Sequence, residues 1–287
     1  MREKPEARKV TSRLDKTSGH SDFGLPPPFL IRPSGFDHHR CHDYRFLIQR
    51  WREIARTAGL RLQRLVCTGN YDVFFLRTKA LREKNGIYLS AGIHGDEAGS
   101  TEALVTWAER NVGRLNELPL LLFPCLNPWG IVNNCRYAES GDDLNRSFHR
   151  DEIPLVAAVK KVITGHHFAV SLMLHEDYDG QGLYLYEIEK DSPFWGEALI
   201  ERARSIIPIE GRTKVDGHKA SAGLVRRRMD HKRFARIGYP EAAWLHLYHS
   251  DRTFTVETPS EFAIEHRVEA HVAVIEECVQ RALQLAR

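Results

Sequence analysis

No run of about 18 consecutive apolar residues occurs in the chain, so no membrane-spanning helix is expected. The N-terminal stretch MREKPEARKVTSRLDKTSGHSDFGLPPPFLIRPSG also lacks an apolar segment of signal-peptide length, and secretion through a simple signal is not expected. There is no C-x-x-C pair. The five cysteines (Cys41, Cys67, Cys125, Cys135 and Cys278) are odd in number and widely spaced. That pattern excludes a disulfide framework and points to a reducing, cytoplasmic compartment. Charge of one sign is lacking too: 41 basic against 38 acidic residues leave a formal net charge of +3, too little for a global electrostatic case for nucleic acid. Internal repeats are absent, as is any linker that would divide the chain into two domains.

What is there reads as ordinary globular protein, with 42% hydrophobic and 28% charged residues over 287 positions. The first ~20 residues are polar and charge-rich, and Pro26-Pro27-Pro28 follows as a stiff extended segment. Residues 1–35 are therefore expected to be an extended, mobile leader, and 36–287 a single domain. From Asp43 to Leu60, Phe46, Leu47, Trp51, Ile54 and Ala55 fall at helical spacing and Gly59 is a natural stop. Two β-rich runs then flank Gly69-Asn70 as a hairpin. GIYLSAGI, LPLLLFPCLN, HFAVSLMLHED and GLYLYEIE read as strands, the first three suited to burial within a sheet. Helices are expected over EAGSTEALVTWAERNV, from about Pro193 to Ile207 and from about Ser260 to Ala286, with strands near Ala242 to Leu247 and Thr253 to Val256. Strands alternating with helices predict an α/β sandwich with a mixed sheet.

Functional groups in such domains gather where strands end, on loops held by a rigid scaffold. Three apolar runs end on chemically capable residues. YLSAGI ends on His94 with Glu97 three residues later, LLLFPC runs into Asn127-Pro128, and VSLML ends on His175. A catalytic zinc takes three protein ligands from His, Asp and Glu and keeps a fourth position for water. His94 in the turn after a strand and Glu97 at the start of a helix can converge on one ion, with Gly95 letting the backbone bend sharply between them. His175 is the best placed third ligand. Each signal has a plainer explanation when taken alone. H-x-x-E arises by chance in a chain with 15 histidines, and a histidine ending an apolar run is commonly a core or rim residue. The segment NPWGIVNNCRYAESGDDLNRSF adds Arg136, Asn145 and Arg146. Guanidinium groups suit bidentate recognition of carboxylates and stabilisation of an oxyanion; by itself the segment also reads as a polar loop with solvated arginines.

The ordered set is more specific than its members. H-x-x-E, N-P-x-G, an arginine, Asn-Arg, a strand-end histidine and a late glutamate, spread over roughly Gly86 to Ser260, resemble the zinc carboxypeptidases of the carboxypeptidase A type. The set also resembles the related succinylglutamate desuccinylase and aspartoacylase group. The resemblance implies a mixed central sheet flanked by helices in a zinc-carboxypeptidase-like sandwich, and one Zn2+ held by His94, Glu97 and His175. It implies that Arg136 polarises the scissile carbonyl, that Asn145 and Arg146 grip a terminal carboxylate, and that Glu257 in TFTVETPS is the general base. Glu176 is the rival base, ranked lower because a side chain adjacent to a strand-end ligand points to the opposite face. Asp96 is left to orient His94 from behind.

The chain departs from the family pattern in places. Trp129 stands where these carboxypeptidases carry aspartate, and Tyr248, in the region of their substrate-closing tyrosine, reads as a half-buried strand residue. RYAESGDDLNRSF is similar to the desuccinylase pattern as well, but only 30 residues follow Glu257, where those relatives carry a β-rich domain. The expected activity is therefore zinc-dependent hydrolysis of a C-terminal peptide or peptide-like amide. The alternatives are N-acyl amino acid amidohydrolysis and an inactive zinc-containing binding module. Its partner is a peptide or N-acyl amino acid with a free carboxylate, rather than nucleic acid or membrane. The basic stretch Arg212 to Arg236 reads either as a solvated loop or as a wall of a cleft for an anionic substrate.

Overall fold

The computed structural model describes residues 40–188, 193–229 and 231–285; the expected leader lies outside them. Helix α1 (Tyr44–Thr57) begins where the Asp43 side chain accepts the Phe46 N–H at 2.9 Å, and it buries Leu47, Trp51 and Ile54 on one face. Strands β1 (Leu62–Thr68) and β2 (Tyr71–Arg77) pair antiparallel. They turn through Gly69 at φ 57°, a left-handed conformation that suits glycine. There follow β3 (Lys84–Ser90), α2 (Ala98–Arg110), β4 (Leu120–Phe123), α3 (Pro128–Asn133), α4 (Pro154–Ile163), β5 (His167–Asp177), β6 (Tyr184–Ile188) and α5 (Gly196–Ala203). A short hairpin, β7 (Lys214–Val215) and β8 (His218–Lys219), precedes β9 (Leu224–Arg227), α6 (His231–Ile237), α7 (Glu241–Tyr248), β10 (Thr253–Pro259) and α8 (Ile264–Leu285).

The main sheet is mixed and eight-stranded, in the order β1-β2-β4-β3-β5-β10-β6-β9. Its centre is parallel, β4, β3, β5 and β10 running one way, while β6 is antiparallel to β10. Period-2 alternation divides the central strands between two cores. Ile87, Leu89, Leu122, Leu172 and Val256 face a layer that includes α1, α2, α5 and α8. Tyr88, Leu121, Phe123 and Met173 face the opposite core, with residues of α4 and α7. Burial on both faces is why these runs are almost continuously apolar in sequence. All five cysteines are free thiols, and among the described residues no helix is long and apolar enough to cross a membrane.

The stretch expected as a strand near Ala242 to Leu247 is helix α7 instead. Pro240, extended at ψ 156°, delivers the chain into it, and Glu241 occupies its first turn. A short apolar run carries no periodicity that separates a buried helix from a strand; here packing of Leu245 in the second core decides. Helices α3, α4 and α6 and strands β7 to β9 were not expected from sequence. What matters for function is the carboxyl edge of β3, β5 and β10. Strands β5 and β10 end together, paired so that Glu257 lies directly beside His175, while β3 ends at Ser90, opposite Met173 of β5.

Candidate active site

Two glycines shape the turn that carries His94 and Glu97. Gly92 takes a left-handed φ of 63° as the chain leaves β3, and Gly95 lies in the turn between His94 and Glu97, as expected. Gly95 also permits a close approach. A Cβ there would lie 1.9 Å from the carbonyl carbon of Gly130, so only glycine lets this turn lie against α3. The Gly95 N–H donates to the Cys135 carbonyl at 3.1 Å. Asn127 caps α3 by accepting the Gly130 N–H at 2.9 Å, and its Nδ2 donates to the Tyr137 carbonyl at 3.1 Å. The N-P-x-G motif thus ties the segment bearing Arg136 to the segment bearing His94.

His94, Glu97 and His175 are buried, and one donor atom from each lies within 4.8 Å of the others. Glu97, the residue before α2, reaches His94 Nδ1 with Oε1 at 2.5 Å and His175 Nδ1 with Oε2 at 2.8 Å. The donor set of two imidazole nitrogens and a carboxylate oxygen fits a zinc ion with an open position. Burial works against charge on His94, yet the Glu97 and Asp143 carboxylates outweigh it and raise its pKa to about 9. Burial likewise opposes ionisation of Glu97, but the two imidazoles hold its carboxyl well below the usual range. Glu257 behaves oppositely: burial pushes its carboxyl well above the usual range, helped by Glu97 and only partly offset by His175.

Arg136 reaches the same site, its Nη1 3.8 Å from Glu97 Oε1, and donates through Nε and Nη2 to Asp143 Oδ2 at 3.2 and 3.1 Å. The other Asp143 oxygen accepts from His94 Nε2 at 3.3 Å and from the Asn145 N–H at 3.0 Å. Asn145 is oriented in turn, because its Oδ1 accepts the Glu241 N–H at 3.0 Å and its Nδ2 remains as the donor. All seven expected site residues, His94, Glu97, Arg136, Asn145, Arg146, His175 and Glu257, line one cavity of about 440 Å³.

Residues 83–155 match the family model for the succinylglutamate desuccinylase/aspartoacylase catalytic domain. Among solved structures the chain is similar to a candidate metallopeptidase of Shewanella amazonensis, with TM-score 0.74 and 20% identity over 84% of this chain and 94% of that one. The chain has a carboxypeptidase-like fold. A metallo-carboxypeptidase of Burkholderia cenocepacia matches at TM-score 0.62 and 15% identity, over 85% of this chain and 70% of that one. One from Pseudomonas aeruginosa, in complex with (2-guanidinoethylmercapto)succinic acid, matches at TM-score 0.57 and 17% identity, over 81% and 68%. No curated protein matched the chain. The resemblance drawn from the ordered motifs therefore holds, both for the desuccinylase-type segment and for the fold.

Other expectations within this carboxypeptidase-like fold are corrected. Asp96 is exposed, and the carboxylate on His94 Nε2 belongs to Asp143, which sequence reasoning passed over although it opens D-L-N-R. Tyr248 ends α7, 61% exposed, and packs near Trp244 at 5.9 Å rather than lining the cavity. Trp129 lies in a separate cleft with Leu126 and Leu144, so its departure from the family pattern falls outside the cavity that holds His94, Glu97 and His175. Glu176 does turn to the opposite face, where Arg267 Nη1 donates to it at 2.6 Å. The cavity walls that sequence reasoning missed are Tyr184 and Tyr186, whose hydroxyls donate to Asp177 at 2.9 Å and Asp216 at 2.6 Å. The alternation in YLYEI was the signal, since it places both rings on one face of β6. The basic stretch is a wall of this cavity, contributing Asp216, His218, Arg227, Arg228 and Arg233.

Proposed function

We propose that the chain is a zinc-dependent metallocarboxypeptidase, formed by a single domain over 36–287, that hydrolyses a C-terminal peptide or peptide-like amide. The observation that carries this reading is the buried His94–Glu97–His175 cluster beside Glu257, in one cavity with three arginine and asparagine donors. Zinc held by those three residues would supply Lewis acidity, lowering the pKa of a water and polarising a carbonyl. The chain's own groups do the rest. Glu257 takes a proton from the attacking water on its carboxylate and passes it to the nitrogen of the leaving amine. A carboxyl whose pKa is raised by burial suits that shuttle. Arg136, its fork braced by Asp143, donates to the oxyanion that forms on the carbonyl oxygen. Asn145 Nδ2 and the Arg146 guanidinium hold the terminal carboxylate.

The far end of the cavity supports a substrate with a second anionic group. The side chain of Arg227, at the end of edge strand β9, makes no hydrogen bond or ion pair among the described residues and meets only the Phe234 ring, 5.9 Å from its centroid. Burial and then the neighbouring Arg233 lower its pKa, so it lacks full compensation for its charge. A carboxylate reaching it would supply that compensation.

The match to the desuccinylase/aspartoacylase model over 83–155 favours a second reading, an N-acyl amino acid amidohydrolase. A product screen by mass detection separates the two. Peptides with free and amidated C-termini are set beside N-succinyl and N-acetyl amino acids. Cleavage lost on C-terminal amidation supports the carboxypeptidase, cleavage confined to N-acyl amino acids supports the second reading, and no cleavage by the zinc-loaded protein refutes both.

A further inference from the structure

Glu176 follows the ligand His175 directly, yet its side chain is fully buried on the other side of β5. One oxygen, Oε2, accepts the Gly99 N–H at 2.8 Å. Gly99 lies two residues after Glu97, in the first turn of α2. The other, Oε1, accepts from Arg267 Nη1 of α8 at 2.6 Å and from Thr258 Oγ1 at 3.2 Å. Thr258 is the neighbour of Glu257, and its hydroxyl also meets His271 Nε2 at 3.0 Å. A single carboxylate therefore touches or adjoins the three segments that present Glu97, His175 and Glu257. The fit is tight: a Cβ on Gly99 would lie 2.4 Å from Glu176 Oε1.

We propose that Glu176 is a positioning residue, a buried carboxylate that sets the spacing of Glu97, His175 and Glu257 from behind the sheet. Three features carry this. Hydrogen bonds to an ionised acceptor are short and directional, so they fix backbone positions better than apolar packing does. Arg267, partly buried on α8, pairs with the carboxylate at 2.6 Å and offsets part of the penalty that burial places on its charge. No other side-chain type offers acceptors on both sides, toward Gly99 and toward Arg267 with Thr258, at this length. Glutamine presents one oxygen and can serve only one side.

The inference rests on His94, Glu97 and His175 being the metal ligands, and it is independent of the substrate. Its test is zinc affinity of the full chain by competition with a chromophoric chelator, for wild type, Glu176→Gln and Gly99→Ala. The expected result is a 10- to 100-fold weaker affinity in both variants, the usual effect of losing a partner behind a ligand shell. A purely stabilising role is separated by Val279→Ala, in the buried part of α8 away from this network. That variant should lower the melting temperature and leave zinc affinity unchanged. If Glu176→Gln does not fold, Gly99→Ala decides alone. Affinities within twofold of wild type in the folded variants overturn the proposal, whereas a wild-type protein that binds no zinc refutes the ligand assignment instead.

Discussion

Asp143→Asn perturbs the site at one atom. The aspartate accepts from His94 Nε2 and the Asn145 N–H with one oxygen and from two Arg136 nitrogens with the other. It therefore braces a metal ligand, the oxyanion donor and the loop that grips the substrate carboxylate. An amide of the same shape keeps one acceptor. If that acceptor stays on His94 and Asn145, the new NH2 faces the Arg136 guanidinium, donor against donor. A hydrogen bond to a charged group contributes about 1.5–3 kcal/mol net, and about 1.4 kcal/mol is a factor of ten. Losing the brace on Arg136 should thus lower kcat by about 10- to 100-fold. Losing the charged partner of His94 should weaken zinc by about 10- to 100-fold. The two effects are read apart by measuring kcat at saturating zinc and zinc affinity by chelator competition. If Asp143→Asn retains both within about twofold, Asp143 does not organise the site and the reasoning fails.

His94→Ala and His175→Ala should each lose bound zinc and activity together; stoichiometric zinc in both, by metal analysis, would show the wrong ligands were chosen. Glu257→Gln should keep zinc and lose about 10²–10⁴ in kcat, the usual share of a general base, and wild-type turnover would remove Glu257 from the mechanism. Arg227→Gln should erase a preference for substrates ending in glutamate over glutamine while sparing the metal; discrimination unchanged from wild type would dismiss it as the distal reader. His271 is buried beside Thr258, and burial, with Arg267 and His175 adding, lowers its pKa from 6.5 to about 3. The unfolded chain therefore binds the proton first, so the stability due to neutral His271 is complete above pH 6.5 and is lost as pH falls toward 3. Denaturation of His271→Gln across that window should give a shallower pH dependence than wild type, and parallel curves would contradict it.

The pieces whose geometry is local were legible in the amino-acid sequence. His94 and Glu97 sit on one turn, and the apolar runs Ile87 to Ser90, Leu120 to Phe123 and Val170 to Leu174 specify buried strands because every second residue meets one of two cores. The order of the motifs, together with strand ends as their setting, was enough to gather the seven site residues into one expectation. Whatever depends on register between distant strands and helices came from the fold alone. Glu257 stands beside His175 because β10 docks parallel to β5, and Tyr184 joins them because β6 pairs antiparallel with β10. The short run after Pro240 became helix because packing, and not its own pattern, chose between two forms of similar local cost. Asp143 could not be told from Asp96 in sequence, since both are acids near a motif and only packing turns one toward His94 and leaves the other in solvent. The same holds for Glu176, whose partners at Gly99, Thr258 and Arg267 come from three segments that only the folded chain brings within hydrogen-bond reach.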